Sequence, residues 1–171
     1  MQQKTLFEDG SLSRPAAMAL GAGAVVVPVL AARGRRSSNV LSTRIWYALL
    51  RKPGFSPPRA VSRAVWAALD AALAVGAYRI ARRPATPERN RALGLLAANV
   101  ALISGRYRLT SGRHDPAAAA VGSAAITATA AAYVAAARPI DRPAAAAALP
   151  LVAWAGFATL LGAAVWKMNR R

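Results

Sequence analysis

The chain has no cysteine and a single histidine, His114, which excludes a disulfide framework, a thiolate site and any multi-histidine metal centre. Acid is scarce as well. Six Asp and Glu stand against 23 Lys and Arg, a formal net charge of +17 over 171 residues. Charged residues of both signs make up only 17%, where a soluble domain carries roughly 25%. Also missing are a Ser/His/Asp or Cys/His nucleophile set, a carboxylate pair and a phosphate-binding glycine loop, so no familiar enzyme class suggests itself. What the chain has is apolar surface: 56% hydrophobic residues and a mean hydropathy of +0.29. Nucleic-acid binders and membrane proteins with basic loops can both carry so much positive charge. Here the cations cluster between apolar blocks, as at Arg33/Arg35/Arg36, Arg51/Lys52 and Arg82/Arg83. No basic stripe or nucleic-acid reading motif is present, so no nucleic-acid partner is expected.

Five apolar blocks organise the sequence. Residues 1–14 form a polar segment of mixed charge, expected to be disordered or interfacial, and 15–171 a single five-helix domain. The first block, 15–32, is uncharged. Glu8 and Asp9 cancel Lys4 and Arg14, so the basic start of a secretory signal is missing and a retained transmembrane helix is expected. Residues 61–80 form the second block, with Asp70 inside it. The third, 92–105, is short against the ~20 residues of a spanning helix, so Arg106 and Arg108 would have to reach back to the headgroups. Residues 117–137 and 144–166 complete the set. No β alternation competes, and backbone polar groups in lipid must pair within helices. The expected fold is therefore all-α, a polytopic membrane protein built as a five-helix transmembrane bundle. Lys and Arg are more numerous around 33–63, 106–113 and 167–171 than on the other side. The positive-inside rule then places the N-terminus outside and the C-terminus in the cytoplasm.

Between the first two blocks lies a basic loop rich in proline and aromatics, WYALLRKPGFSPPRAVSRAVW at 46–66. Trp46, Tyr47, Lys52, Pro53, Pro57, Pro58 and Trp66 stand at the spacing that opens the second helix of the TspO/MBR family, and the chain resembles that family. The similarity continues through Val65, Leu69, Gly76 and Tyr78, then Ala92, Leu93, Leu95 and Asn99. In the fifth block it covers Pro150, Ala153, Trp154, Phe157, Ala158, Thr159, Trp166 and Asn169. The resemblance implies an integral protein of a bacterial cell membrane that binds tetrapyrroles or other flat hydrophobic molecules. The pocket would lie beneath the loop joining the first two helices. Its implied ligand-binding residues are Trp46, Tyr47, Pro53, Trp66, Asn99, Trp154, Phe157 and Ala158. No resident cofactor is expected; the ligand would be protoporphyrin IX or haem. A homodimer is expected through the third helix, as in bacterial members, along the small-residue face Gly94, Ala98, Ala101 and Gly105.

The chemistry is compatible with that expectation. A porphyrin is a broad apolar plate with acidic propionates at one edge. Tryptophan offers an apolar face with an N–H, and Arg51, Lys52 or Arg59 could meet a carboxylate. Interfacial anchoring is the plainer explanation of Trp46, Tyr47 and Trp166, because Trp and Tyr gather at membrane surfaces regardless of function. Trp66 and Trp154 lie deeper in their blocks, where anchoring explains less. Prolines 53, 57 and 58 could merely stiffen the loop. Asp70, placed where the family commonly has tyrosine, needs either an ion pair or a proton within a membrane helix, or serves as a polar ligand contact. The chain also departs from the family at 103–111, where an aromatic stretch is replaced by Ile103, Ser104, Gly105, Arg106, Tyr107, Arg108, Leu109, Thr110 and Ser111. Ala163 stands where the proposed cholesterol-recognition pattern needs tyrosine, so steroid binding gains no support. Three functions remain open: a tetrapyrrole sensor or transporter without catalysis, a light- or oxygen-dependent porphyrin-degrading activity, and a diverged paralogue with a structural role and no ligand.

Overall fold

Asp115-Pro116 and Asp141-Arg142-Pro143 each start a helix in the way their chemistry dictates. The Asp115 carboxylate accepts from the Ala117 N–H (2.8 Å) and Asp141 from the Ala144 N–H (2.9 Å). Proline in the first turn gives up an N–H that would have had no partner there. A computed structural model describes residues 7–8, 11–33, 45–46, 48–113 and 115–170. Among these, five long helices are present: α1 (Arg14–Arg33), α2 (Arg59–Ala81), α3 (Pro87–Arg113), α4 (Pro116–Ala137) and α5 (Arg142–Asn169). Three of them, α2, α4 and α5, are long and apolar enough to cross a membrane by length and composition. The expected all-α, polytopic membrane architecture is the one observed.

The third apolar block stays short, and its helix is not among the three apolar enough to span, but that helix itself runs on for 27 residues, about 40 Å at helical rise. No proline lies between Gly105 and Arg113, so hydrogen bonding continues after apolarity ends, and the next proline is Pro116 after Asp115. The side chains of Arg106 and Arg108 lie outside the described ones. The N-terminal segment holds a short pair of strands. Phe7–Glu8 (β1) pairs antiparallel with Ser11–Leu12 (β2), Phe7 opposite Leu12 and Glu8 opposite Ser11. Arg82 Nη1 donates to the Leu12 carbonyl at 2.9 Å, tying that segment to the end of α2.

The helices form a closed ring in the order α1, α2, α5, α4, α3 and back to α1, with the α4–α5 interface the most extensive. Small residues permit it. A Cβ on Gly162 of α5 would lie 3.0 Å from the Ala120 Cα of α4, and one on Gly21 of α1 would lie 2.9 Å from the Ala74 carbonyl of α2. With no hydrophobic drive between helices in lipid, such close approach supplies the dispersion contacts that hold them. The turn between α2 and α3 is closed by Arg89, buried, whose Nη2 donates to the Ala81 carbonyl at 2.9 Å and satisfies a helix C-terminus.

Burial is uneven along the bundle. The sealed core comprises Leu73, Ala77, Ile80, Leu96, Ile126, Tyr133, Ala144, Ala148 and Leu151, from the C-terminal half of α2, the N-terminal halves of α3 and α5, and the middle and C-terminal part of α4. Toward the other end, where α2 begins and α5 finishes, side chains are mostly half-buried or exposed. One end of the ring is closed by its own side chains; the other is closed by the loop.

Candidate functional site

The loop before α2 turns tightly at Pro53, whose carbonyl accepts the Ser56 N–H at 3.0 Å. This is a β-turn with Pro53 as its first residue and Gly54 and Phe55 at its tip. Upstream, the loop is fastened to the last residue of α5. The Arg51 N–H donates to Asn169 Oδ1 (3.0 Å), and Asn169 Nδ2 donates back to the Arg51 carbonyl (2.9 Å). Asn169 Nδ2 also donates to the Val165 carbonyl at 2.7 Å, which fixes the rotamer of the latch. From that point the loop descends along α5. The Phe55 ring meets Phe157 edge-on with centroids 6.2 Å apart, and Phe157 lies 5.3 Å from Trp154 at a 37° tilt. Phe157 stands twelve residues before Asn169, so the loop reaches about 18 Å down α5 from the latch.

Two polar atoms in this stretch are buried without a hydrogen-bond partner among the described residues: Trp154 Nε1 and Ser56 Oγ. An orphaned buried donor costs about 1–3 kcal/mol, so its retention calls for a reason. One turn before Trp154, Pro150 interrupts α5 and leaves the Ala146 carbonyl without its usual N–H. Phe55, Trp154 and Phe157 thus form an aromatic strip with an indole N–H free for an acceptor, roofed by a basic loop.

The other expected site residues are placed as follows. Trp66 is half-buried on α2 and packs against the core; Ala158 is half-buried beside Phe157 on α5; Pro53 is half-buried in the loop turn. Trp46 is half-buried, and Tyr47 lies outside the described residues. Asn99 is brought to a different place: 1% exposed on α3, it donates from Nδ2 to the Ile126 carbonyl (3.0 Å) and Thr129 Oγ1 (2.7 Å) on α4. Its Nδ2 is engaged in helix packing, while its buried Oδ1 has no hydrogen-bond partner among the described residues. Trp166 faces outward, 40% exposed, with the Arg170 guanidinium 4.6 Å above its ring, the arrangement of an interfacial anchor. Sequence reasoning missed Phe55, which carries no signal beyond its place in the loop. It also left Asn169 out of the site, although the resemblance already included it.

At the opposite end, the Asp141 side chain, 1% exposed, is held by Arg79 Nε (2.9 Å) and Arg83 Nη2 (2.6 Å). Burial pushes its carboxyl up. Hydrogen bonds from Arg79, Arg83 and the Ala144 N–H, with the Arg79 charge, outweigh that and hold it at about 2.

Helical architecture and apolar spans define a polytopic integral membrane protein. Residues 21–167 match the TspO/MBR family model, and the chain belongs to that family. It is 33% identical to a translocator protein from Ovis aries over 127 residues, covering 73% of this chain and 75% of the relative. A translocator protein from Bos taurus is 32% identical with the same coverage.

The latch has a direct consequence. Asn169→Ala removes two backbone hydrogen bonds to Arg51, and in this exposed setting about 1 kcal/mol is at stake. Tryptic cleavage after Arg51 in detergent should accelerate roughly fivefold. Unchanged cleavage would show that the loop is held by other contacts.

Proposed function

We propose that this protein binds tetrapyrroles, porphyrins or haem precursors, under the 51–58 loop, and acts by occupancy as a sensor or transporter. The observation that carries the reading is the buried, unpartnered Trp154 N–H within the Phe55–Phe157–Trp154 strip. An aromatic face with one precisely placed donor suits a flat apolar plate that carries acceptors. The cations of the roof, Arg51, Lys52 and Arg59, suit the propionates at its edge. Titration of the purified protein with protoporphyrin IX tests the reading through quenching of tryptophan fluorescence. Saturable quenching with a stable porphyrin absorption band is expected. Loss of that band under light would instead assign a porphyrin-degrading activity, and absence of quenching a structural role without ligand.

The loop and the end of α5 share one end of the bundle, and the greater number of loop cations belongs there, so this end is proposed to be cytoplasmic in a bacterial cell membrane. Because the chain has no cysteine, single cysteines placed at Gly54 and Pro139 can be labelled from one side in spheroplasts. Only the residue-139 variant should react with an impermeant maleimide; reaction at residue 54 alone would reverse the topology.

A homodimer through α3 completes the proposal. Gly94, Ala98 and Ala101 are exposed, and a Cβ on Gly94 or Gly105 would meet nothing within 4 Å, so this small-residue face is not used inside the ring. Gly94→Leu/Ala98→Leu should convert a detergent-solubilised dimer to monomer in sedimentation. A dimer that persists places the interface elsewhere.

A further inference from the structure

The sealed end of the bundle holds a second feature, remote from the loop. A cleft of 390 Å³ opens at the α4–α5 turn, lined by Arg83, Arg138, Asp141 and Arg142 together with Pro139 and Ile140. Its charge is unbalanced. Asp141 is the only acid in the lining and is already engaged by Arg79 and Arg83. Arg138 and Arg142 have no ion-pair partner among the described residues, and both are exposed. Two guanidinium groups therefore flank a cavity whose one carboxylate is spent.

The position of the cleft identifies what would fill it. α4 ends at Ala137 and α5 begins at Arg142, and both are apolar enough to span a membrane. The turn between two such helices lies where the chain leaves the hydrocarbon, at headgroup depth. The lining combines apolar Ala135, Pro139 and Ile140 with the cations Arg83, Arg138 and Arg142. Guanidinium groups match phosphate oxygens with paired N–H donors, and basic pockets between membrane helices are suited to anionic headgroups. We infer that this cleft seats the phosphate of an anionic phospholipid, with the acyl chains lying against α4 and α5. A free phosphate would use the same two arginines but gain nothing from the apolar part of the lining.

Native mass spectrometry of the full chain in neutral detergent, with phosphatidylglycerol, phosphatidylcholine and inorganic phosphate as probes, tests the assignment. Phosphatidylglycerol should be retained at least about tenfold more strongly than phosphatidylcholine, and millimolar inorganic phosphate should not displace it. Arg138→Gln/Arg142→Gln should abolish the preference, while Arg63→Gln/Lys167→Gln at the other end should preserve it. Equal retention of the two lipids by the wild type overturns the proposal, and so does a preference that survives in the Arg138/Arg142 variant. Displacement by inorganic phosphate would overturn the lipid assignment in favour of a free anion. Should the double variant fail to fold, the single variants Arg138→Gln and Arg142→Gln, both at exposed positions, decide the matter: a preference undiminished in each overturns the proposal.

Discussion

Asp141→Ala is expected to destabilise the protein by about 3 kcal/mol, with Asp141→Asn costing about 2. The carboxylate has two tasks. It caps α5 through the Ala144 N–H, and it neutralises Arg79 and Arg83 of α2 across the bundle. Asparagine retains the cap and loses the charge; alanine loses both. A carboxyl held at about 2 instead of 3.8 corresponds to about 2 kcal/mol, which is the charge part of the effect. The arginines are 39% and 46% exposed, so water screens them, and the pair falls short of a fully buried one. Because the folded-state value is depressed, this stability is present above about pH 4 and is lost as pH falls through about 2. Thermal unfolding in detergent should therefore separate wild type from Asp141→Asn at neutral pH and bring them together near pH 2. A pH-independent difference would mean that the charge is not what Asp141 contributes.

Trp154→Ala should weaken protoporphyrin IX binding by about 2 kcal/mol or more, roughly thirtyfold, because it removes both the central ring of the aromatic strip and its N–H. Trp154→Phe separates the two contributions. Keeping most of the ring and deleting the donor should cost about 1 kcal/mol, roughly fivefold, if the indole N–H meets a ligand acceptor. Trp66→Ala should also be costly. Trp166→Ala should change affinity little, since that ring faces outward under Arg170, and Trp46→Ala is expected to resemble it. Small, equal effects at all four tryptophans would remove the pocket and leave four anchors. An unchanged affinity in Trp154→Phe would keep the aromatic wall but dismiss the hydrogen bond.

Much of the fold was legible in the residues. Asp-Pro at 115–116 and Asp-Arg-Pro at 141–143 mark helix starts whatever surrounds them, because a capping carboxylate and a proline act within one turn. The loop pattern from Trp46 to Trp66 led to the right family. The site was legible only in part. Trp154 and Phe157 stand three residues apart on α5, and only the structure shows their rings 5.3 Å apart with the Trp154 N–H buried and without a hydrogen-bond partner among the described residues. Asn99 reads in sequence as a polar residue in a membrane helix in need of a partner, and its partner is α4.

What the sequence by itself determined was the number of helices, the starts of α4 and α5, and their membrane setting. Lipid forces every backbone polar group to pair within its own segment, so apolar length and local breakers suffice. What only the tertiary structure decided was rotation and reach. Helices such as α4, alanine-rich and apolar nearly all round, carry little periodic contrast to show which face turns inward. Contacts between distant residues have no local signature either: Asp141 lies 58 and 62 positions from Arg83 and Arg79, and Arg51 lies 118 from Asn169. The ring order α1, α2, α5, α4, α3 brings those pairs together, seals one end of the bundle with side chains and leaves the loop to close the other.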